Sequence, residues 1–244
     1  MNARRFFVEG AREVGGIVEI GGGDAHKIAH VLRLQPGDRI EVIDSSATAF
    51  AASIDQLGEV VCAKLLETIG AQRVDGTALQ IEVAQAVPKG RRMEFVVEKG
   101  TELGAAAFLP FYSERSVGRD VGAEKLARWQ RLAYSAAQQC GRRNVPEIRD
   151  PLRFDELLEC FSNYEAVLFA WELAPQIPLR ERLPAVLPAA GRVLIVVGPE
   201  GGFTHAEAES AGERGAALLW LGPRILRTDT AAMALLAVIG AFAS

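Results

Sequence analysis

The sequence predicts an α/β protein with a small β-rich N-terminal domain and a larger domain built on a parallel sheet. Three observations predict it. Residues 1–70 carry five short strand candidates and one helix candidate, separated by turn signals. From Leu79 onward strands and helices alternate, as in a parallel sheet covered by helices. Between the two lies Gly70–Thr77 (GAQRVDGT), polar and carrying two glycines, which sets the domains at 1–72 and 73–244. A chain of 244 residues, 49% apolar and 24% charged, has the core for such an arrangement.

In the first domain Phe6–Val8, Gly16–Ile20, Arg39–Ile43, Phe50–Ile54 and Glu59–Leu65 read as strands, and Gln35–Asp38 (QPGD) as a turn. A helix is expected between Asp24 and Leu34, with Asp24 as cap and Ile28, Val31 and Leu32 on its apolar face. Short strands with one helix suggest a small barrel.

In the second domain Leu79–Val87 reads as a strand. Gly90–Gly104 reads as a helix with Met93, Val96, Val97 and Thr101 on one face. Ala106–Phe111 is a strand, Glu124–Cys140 a long amphipathic helix, Asp155–Phe161 a short helix and Ala166–Trp171 a strand. Pro175–Pro188 holds four prolines and reads as an ordered loop.

The chemistry concentrates in the two units that follow. Val193–Val197 is an unbroken apolar run, the mark of a strand buried on both faces, and it runs into Gly198-Pro199-Glu200-Gly201-Gly202. Thr204 with Glu207 three residues later is a capping box, so a helix starts there. Strand, glycine-rich loop and helix N-terminus form the arrangement in which open α/β sheets bind ligands. Ala217–Leu221 is a further strand, followed by GPRILRTDT and an apolar helix over Ala231–Phe242. Two strand ends, each closed by Gly-Pro, bracket one pocket if the strands lie near each other. The loop lacks the Lys-Ser/Thr of a phosphate-binding P-loop and the spacing of the dinucleotide fingerprint.

Other classes are disfavoured. No apolar run reaches the roughly 18 residues of a membrane span, and MNARRFFVEG lacks the features of a signal peptide. Cys62, Cys140 and Cys160 are odd in number and widely spaced, so no disulfide framework is expected and a cytoplasmic location is. His26 and His30 are four apart but have no evident third ligand, so no metal is expected; His205 reads as a surface or capping residue. The net charge of −4 is unevenly spread: residues 76–149 carry 12 basic and 8 acidic side chains, whereas both flanking stretches are net acidic. Lys89, Arg91 and Arg92, then Arg115 and Arg119, then Arg142 and Arg143 fall at element ends, where side chains converge on phosphates. Arg33, beside His30, extends the same expected RNA face to the first domain.

VGPEGGFTHAE (197–207) and LGPRILRTDTAA (221–232) resemble the last two motifs of the ribosomal RNA small subunit methyltransferase E family. KGRRMEFVVEKGTELGAAAFLPFYSERS (89–116), AAQQCGRRNVPEI (136–148) and HKIAHVLRLQPGDRIEVID (26–44) resemble three further blocks of it, so the match spans nearly the whole chain in order. The resemblance implies a SPOUT α/β domain with a deep trefoil knot, a PUA-like N-terminal β-barrel and a homodimer. It also implies S-adenosylmethionine as cofactor and methylation of the imide nitrogen, position 3, of one uridine in 16S rRNA. Carried across by motif, the cofactor loops comprise Gly198, Pro199, Glu200, Gly201 and Gly202, then Leu221, Gly222, Ile225, Leu226 and Thr228. The chain departs from the family in carrying Asp229 where Glu is usual.

A uridine imide nitrogen is a poor nucleophile until its proton leaves, so a base or cationic stabilisation of the anion is required. Arg142 and Arg227 are the candidates for the anion, with Glu200 or Asp229 as base or as orienter of the arginines. Asp229 also fits a helix N-cap. Met233, Leu235, Leu236, Val238 and Ile239 make the last helix apolar on more than one face, which suits a dimer interface. Two rival readings stand at this point: a non-catalytic RNA-binding assembly factor on the same fold, and a nucleotide-binding metabolic enzyme. Cofactor binding separates the first rival, and transfer of methyl to RNA the second.

Overall fold

The structure, a computed structural model, describes residues 4–10, 12–70, 79–117 and 121–243. Arg119 and most of the expected boundary stretch lie outside the described residues. The chain groups into two compact units, residues 1–74 with 137–144 and residues 75–136 with 145–244.

The first unit holds β1 (Arg5–Phe7), β2 (Ile17–Ile20), α1 (Gly22–His26), β3 (Arg39–Ile43), β4 (Ala49–Gln56) and β5 (Val61–Ile69). The strands pair in the order β1-β3-β4-β5-β2, with β1 parallel to β3 and the other pairs antiparallel. Among the described residues β1 and β2 do not pair, so the sheet is a curled half-barrel and not the closed barrel expected. Phe6, Val18, Ile28, Val42, Phe50, Ile54 and Leu65 fill its concave side. The helix differs from expectation. Gly21 is its N-cap, and Asp24 sits in the first turn with its carboxylate accepting from Gln138 Nε2 at 3.2 Å. After His26 the winding widens to a π-helix over Lys27–Val31, which turns Val31 out to 66% exposure while Ile28 stays buried.

Residues 137–144 are tied into this unit by their polar groups. Lys27 Nζ donates to Gln138 Oε1 at 2.8 Å, and Arg5 donates to Arg142 O at 3.1 Å while pairing with Glu41. Arg143 donates to Gly70 O at 2.7 Å, and buried Arg142 donates to Asn144 Oδ1 at 3.2 Å.

The second unit contains β6 (Leu79–Ala86), α2 (Arg92–Glu102), β7 (Ala107–Tyr112), α3 (Ala123–Cys140, of which residues 137–140 belong to the first unit), β8 (Glu147–Ile148), β9 (Leu152–Arg153) and α4 (Phe154–Glu159). It continues with β10 (Ala166–Ala170), α5 (Leu179–Val186), β11 (Gly191–Val197), α6 (His205–Glu213), β12 (Ala217–Leu219) and α7 (Thr228–Ala243). The sheet is parallel throughout, ordered β12-β10-β11-β6-β7-β8, with β9 also on β7. Neighbouring strand residues face opposite ways. Val83, Ile195 and Val197 pack with Val96, Trp129, Leu183, Leu235 and Leu236. Ala84, Leu194 and Val196 pack with Phe111, Leu157, Phe169, Phe203 and Ala208. Both faces being covered explains why these strands read as continuous apolar runs.

Glu82, 6% exposed at its side chain, is matched by Arg192 at 2.9 Å, Arg149 at 3.1 Å and the Tyr164 hydroxyl at 2.6 Å. Burial, reinforced by Glu82, pushes the Tyr164 phenol up to about 12. The cluster is internally satisfied and fixes β6 to β11.

Three findings depart from the sequence reading. The proline-rich stretch contains α5: Pro178 precedes its first turn at φ −57°, a value suited to helix entry, and Leu183 is fully buried. The two-residue strands β8 and β9 are too short to leave a pattern. The last helix begins at Thr228, three residues ahead of the expected Ala231, and it buries Ala232, Leu235, Leu236 and Ile239 while Phe242 is 48% exposed.

Gly100 lets α2 sit close to β7. A Cβ there would lie 2.7 Å from the ring of fully buried Phe108. Gly100→Ala is therefore expected to destabilise by about 1–3 kcal/mol, despite alanine's better helix propensity. Chemical denaturation checks this, and an unchanged midpoint would contradict the packing.

Candidate functional site

β10 lies between β11 and β12, so the two Gly-Pro loops belong to strands that flank a common neighbour. The C-terminal ends of these three strands open onto a cavity of about 850 Å³. All the loop residues expected from sequence line it: Gly198, Pro199, Glu200, Gly201 and Gly202 from one side, and Leu221, Gly222, Ile225, Leu226 and Thr228 from the other. Arg227 lines it as well. Lys89, Arg91, Arg115, Arg142, Arg143, Arg33 and Asp229 do not.

The first loop is set by a tight turn and by the helix behind it. Gly202 N–H donates to Pro199 O at 3.0 Å, and Gly202 adopts φ +67°, a left-handed value that glycine takes without strain. A Cβ at Gly202 would come within 2.6 Å of the Glu172 carboxylate. The capping box forms as expected: Glu207 N–H donates to Thr204 Oγ1 at 3.2 Å and Thr204 N–H to Glu207 Oε2 at 2.9 Å. Phe203 points down into the core, its ring 4.1 Å from that of Phe169 centre to centre.

The second loop is joined to the first by Thr228. Its hydroxyl donates to Gly198 O and accepts from Gln85 Nε2 at 2.7 Å. Thr228 is 5% exposed and Gln85 fully buried, so these bonds are made away from water. Asp229 stands in the first turn of α7, where a carboxylate complements the helix dipole, and accepts from Thr230 N–H at 3.0 Å.

Glu200 is a closely held charge at the cavity. Burial at the wall disfavours ionisation, but its own amide, the Lys89 N–H at 3.0 Å and the Arg92 guanidinium at 2.5 Å outweigh this. The carboxyl is held below the usual glutamate range, so it is anionic at neutral pH. A carboxylate so paired orients neighbours well and accepts a proton poorly.

Three contributors escaped the sequence reading. Trp171, Glu172, Leu173 and Gln176 form a third wall after β10, and the buried Trp171 Nε1 has no hydrogen-bond partner among the described residues. AWELAP lacks the glycine signature of the other loops, so nothing local marks it. Gln85 sits in an ordinary strand pattern and gains its role only through Thr228, 143 residues away. Arg92, read as an RNA contact, lines the cavity and pairs with Glu200.

A sequence-family model described as an RNA methyltransferase domain matches residues 76–240. A ribosomal RNA small subunit methyltransferase E of Bacillus subtilis is 34% identical, over 97% of this chain and 95% of its own length. Its namesake in Mycobacterium bovis is 31% identical, over 100% and 94%. Among solved structures, a ribosomal RNA small subunit methyltransferase E of Neisseria gonorrhoeae bound to S-adenosyl methionine superposes with TM-score 0.88 at 30% identity, covering 98% of each chain. A methyltransferase of Legionella pneumophila with bound SAM superposes with TM-score 0.88 at 30% identity, covering 99% of this chain and 98% of that one.

Proposed function

Because the chain belongs to the ribosomal RNA small subunit methyltransferase E family, we propose that it transfers a methyl group from S-adenosylmethionine to small-subunit rRNA. The observation that carries the reading is the cavity at three adjacent strand ends, walled by the two family loops. Its volume of about 850 Å³ falls in the range of small-molecule and cofactor sites. Gly201 and Gly202 at the cavity wall and the Trp171 indole N–H, without a partner among the described residues, suit a polar-edged ligand. Backbone groups of 198–202 and 221–226 would hold the cofactor, with Trp171 and Glu172 on the third side. When bound, the cofactor supplies an electrophilic methyl on a sulfonium.

The finer reading is methylation of the position-3 nitrogen of one uridine in 16S rRNA. Arg227, exposed at the cavity wall, is the residue proposed to stabilise the developing uridine anion, whereas Arg142, buried and donating to Asn144, does not line the cavity. Glu200 orients Arg92 and the loop, since its ion pairing makes it a poor base. Asp229 remains the candidate base. A PUA-like role for the first unit, a trefoil knot through the cofactor loops and a cytoplasmic location belong to the same proposal. So does a homodimer; light scattering is expected to find twice the chain mass at micromolar concentration, and a monomer would count against it.

Exposed Lys89 and Arg91 are the better remaining phosphate contacts, because Arg92 is engaged by Glu200. Changing Lys89 and Arg91 together to Ala is expected to weaken RNA binding and flatten the slope of log affinity against log salt by about two contacts. Identical slopes would place the RNA surface elsewhere. The function itself is tested by offering labelled cofactor with free rRNA, 30S particles and 70S ribosomes in parallel. Label in RNA supports the proposal, and cofactor binding without transfer to any of them would favour the assembly-factor reading.

A further inference from the structure

We infer that Arg115 is a positioning residue of the cofactor loop and not a phosphate contact. This rests on the reading that the cavity holds S-adenosylmethionine. Arg115 lies in the turn after β7, two strands away from β11 in the sheet. Its Nη1 donates to Gly201 O at 2.9 Å and to Phe203 O at 3.4 Å, taking two carbonyls of the loop with one cationic group. Its aliphatic stem packs against Gly201: a Cβ there would stand 3.2 Å from Arg115 Cβ. Arg115 itself does not line the cavity.

The turn that carries it is braced by its own hydrogen bonds. Ser113 N–H donates to Ser116 Oγ at 3.0 Å and Ser116 N–H to Ser113 O at 3.1 Å, and both serines are buried. Beside Arg115, the Glu114 N–H donates to Glu207 Oε1 at 2.8 Å, the carboxylate whose other oxygen caps Thr204. One turn thus holds both the loop and the start of α6. Glu200, with Arg92 and the Lys89 amide, anchors the same loop from the turn after β6. The loop is thus held by two turns, and of the two anchoring arginines Arg92 lines the cavity whereas Arg115 does not. Charge-assisted bonds to backbone carbonyls are stronger than neutral ones, and preorganising a loop removes an ordering cost from binding.

Three variants separate the clamp from simple charge. Arg115→Met keeps the stem over Gly201 and removes the donors; Arg115→Lys restores one donor; Arg115→Ala removes both. In the ligand-free protein, hydrogen exchange of amides 200–204 is expected to speed at least tenfold in Arg115→Met and Arg115→Ala and to be partly rescued in Arg115→Lys. Calorimetry with S-adenosylmethionine is expected to show tenfold weaker binding in Met and Ala, again with partial rescue by Lys. RNA affinity and its salt slope should match the wild type. Unchanged exchange, or a flattened salt slope with intact cofactor affinity, overturns the inference. A wild type that binds no S-adenosylmethionine overturns the cofactor reading instead, and the exchange data still decide the clamp.

Discussion

Thr228→Val is expected to weaken S-adenosylmethionine binding at least tenfold. Valine matches threonine in shape but makes neither hydrogen bond. Gly198 O would lose its hydroxyl donor, and Gln85 Nε2 would lose one of its two acceptors and keep Ala86 O at 3.1 Å, both away from water. Each buried group left unpaired costs about 1–3 kcal/mol. The protein escapes part of that cost by letting the two loops part so that water enters, and a parted pair no longer forms one pocket. Thr228→Ser keeps the hydroxyl and should retain most of the affinity. Calorimetry on the three proteins checks this; equal affinity in Thr228→Val would mean that the loops are held together by something else.

Gly202→Val is expected to abolish measurable cofactor binding. Valine at φ +67° is strained by about 1–3 kcal/mol, since its branched Cβ meets the backbone in the left-handed region. Its side chain would also displace the Glu172 carboxylate, 2.6 Å from the added Cβ, and so disturb the third wall. Replacing Gly201 acts differently, because a Cβ there meets the stem of Arg115. Gly202→Val should still fold, since the loop lies at the surface end of the sheet and Phe203 remains anchored among Phe111, Phe154 and Phe169. Circular dichroism with calorimetry tests both halves, and wild-type affinity in a folded variant would remove the loop from the site.

The strands and the capping box were legible because their signals are local. Val193–Val197 announces a doubly buried strand by composition, and Thr204 with Glu207 announces a helix start by spacing alone. The pairing of the two Gly-Pro loops was legible as a condition, and the strand order β12-β10-β11 meets it. What stayed hidden depends on distant partners. Gln85 reads as strand, yet it braces Thr228. Arg92, Arg115 and Arg143 read as basic clusters for phosphate, and each instead meets a carboxylate or backbone carbonyl of the protein itself. Charge at a loop marks a cation's place but not its partner. The prolines of 175–188 concealed α5, because proline at a helix entry is favourable while proline in a window argues against helix. Asp24 missed its expected cap role because Gln138 claims its carboxylate and the helix starts earlier.

The most direct test of the proposed activity identifies the product. Purified protein is incubated with S-adenosylmethionine carrying a labelled methyl and with small-subunit particles from cells lacking the enzyme. The 16S rRNA is then digested to nucleosides and separated by mass spectrometry. The proposed function predicts label in N3-methyluridine, lost in Gly202→Val. Label in another nucleoside, or none in RNA under conditions where the protein binds the cofactor, would contradict it.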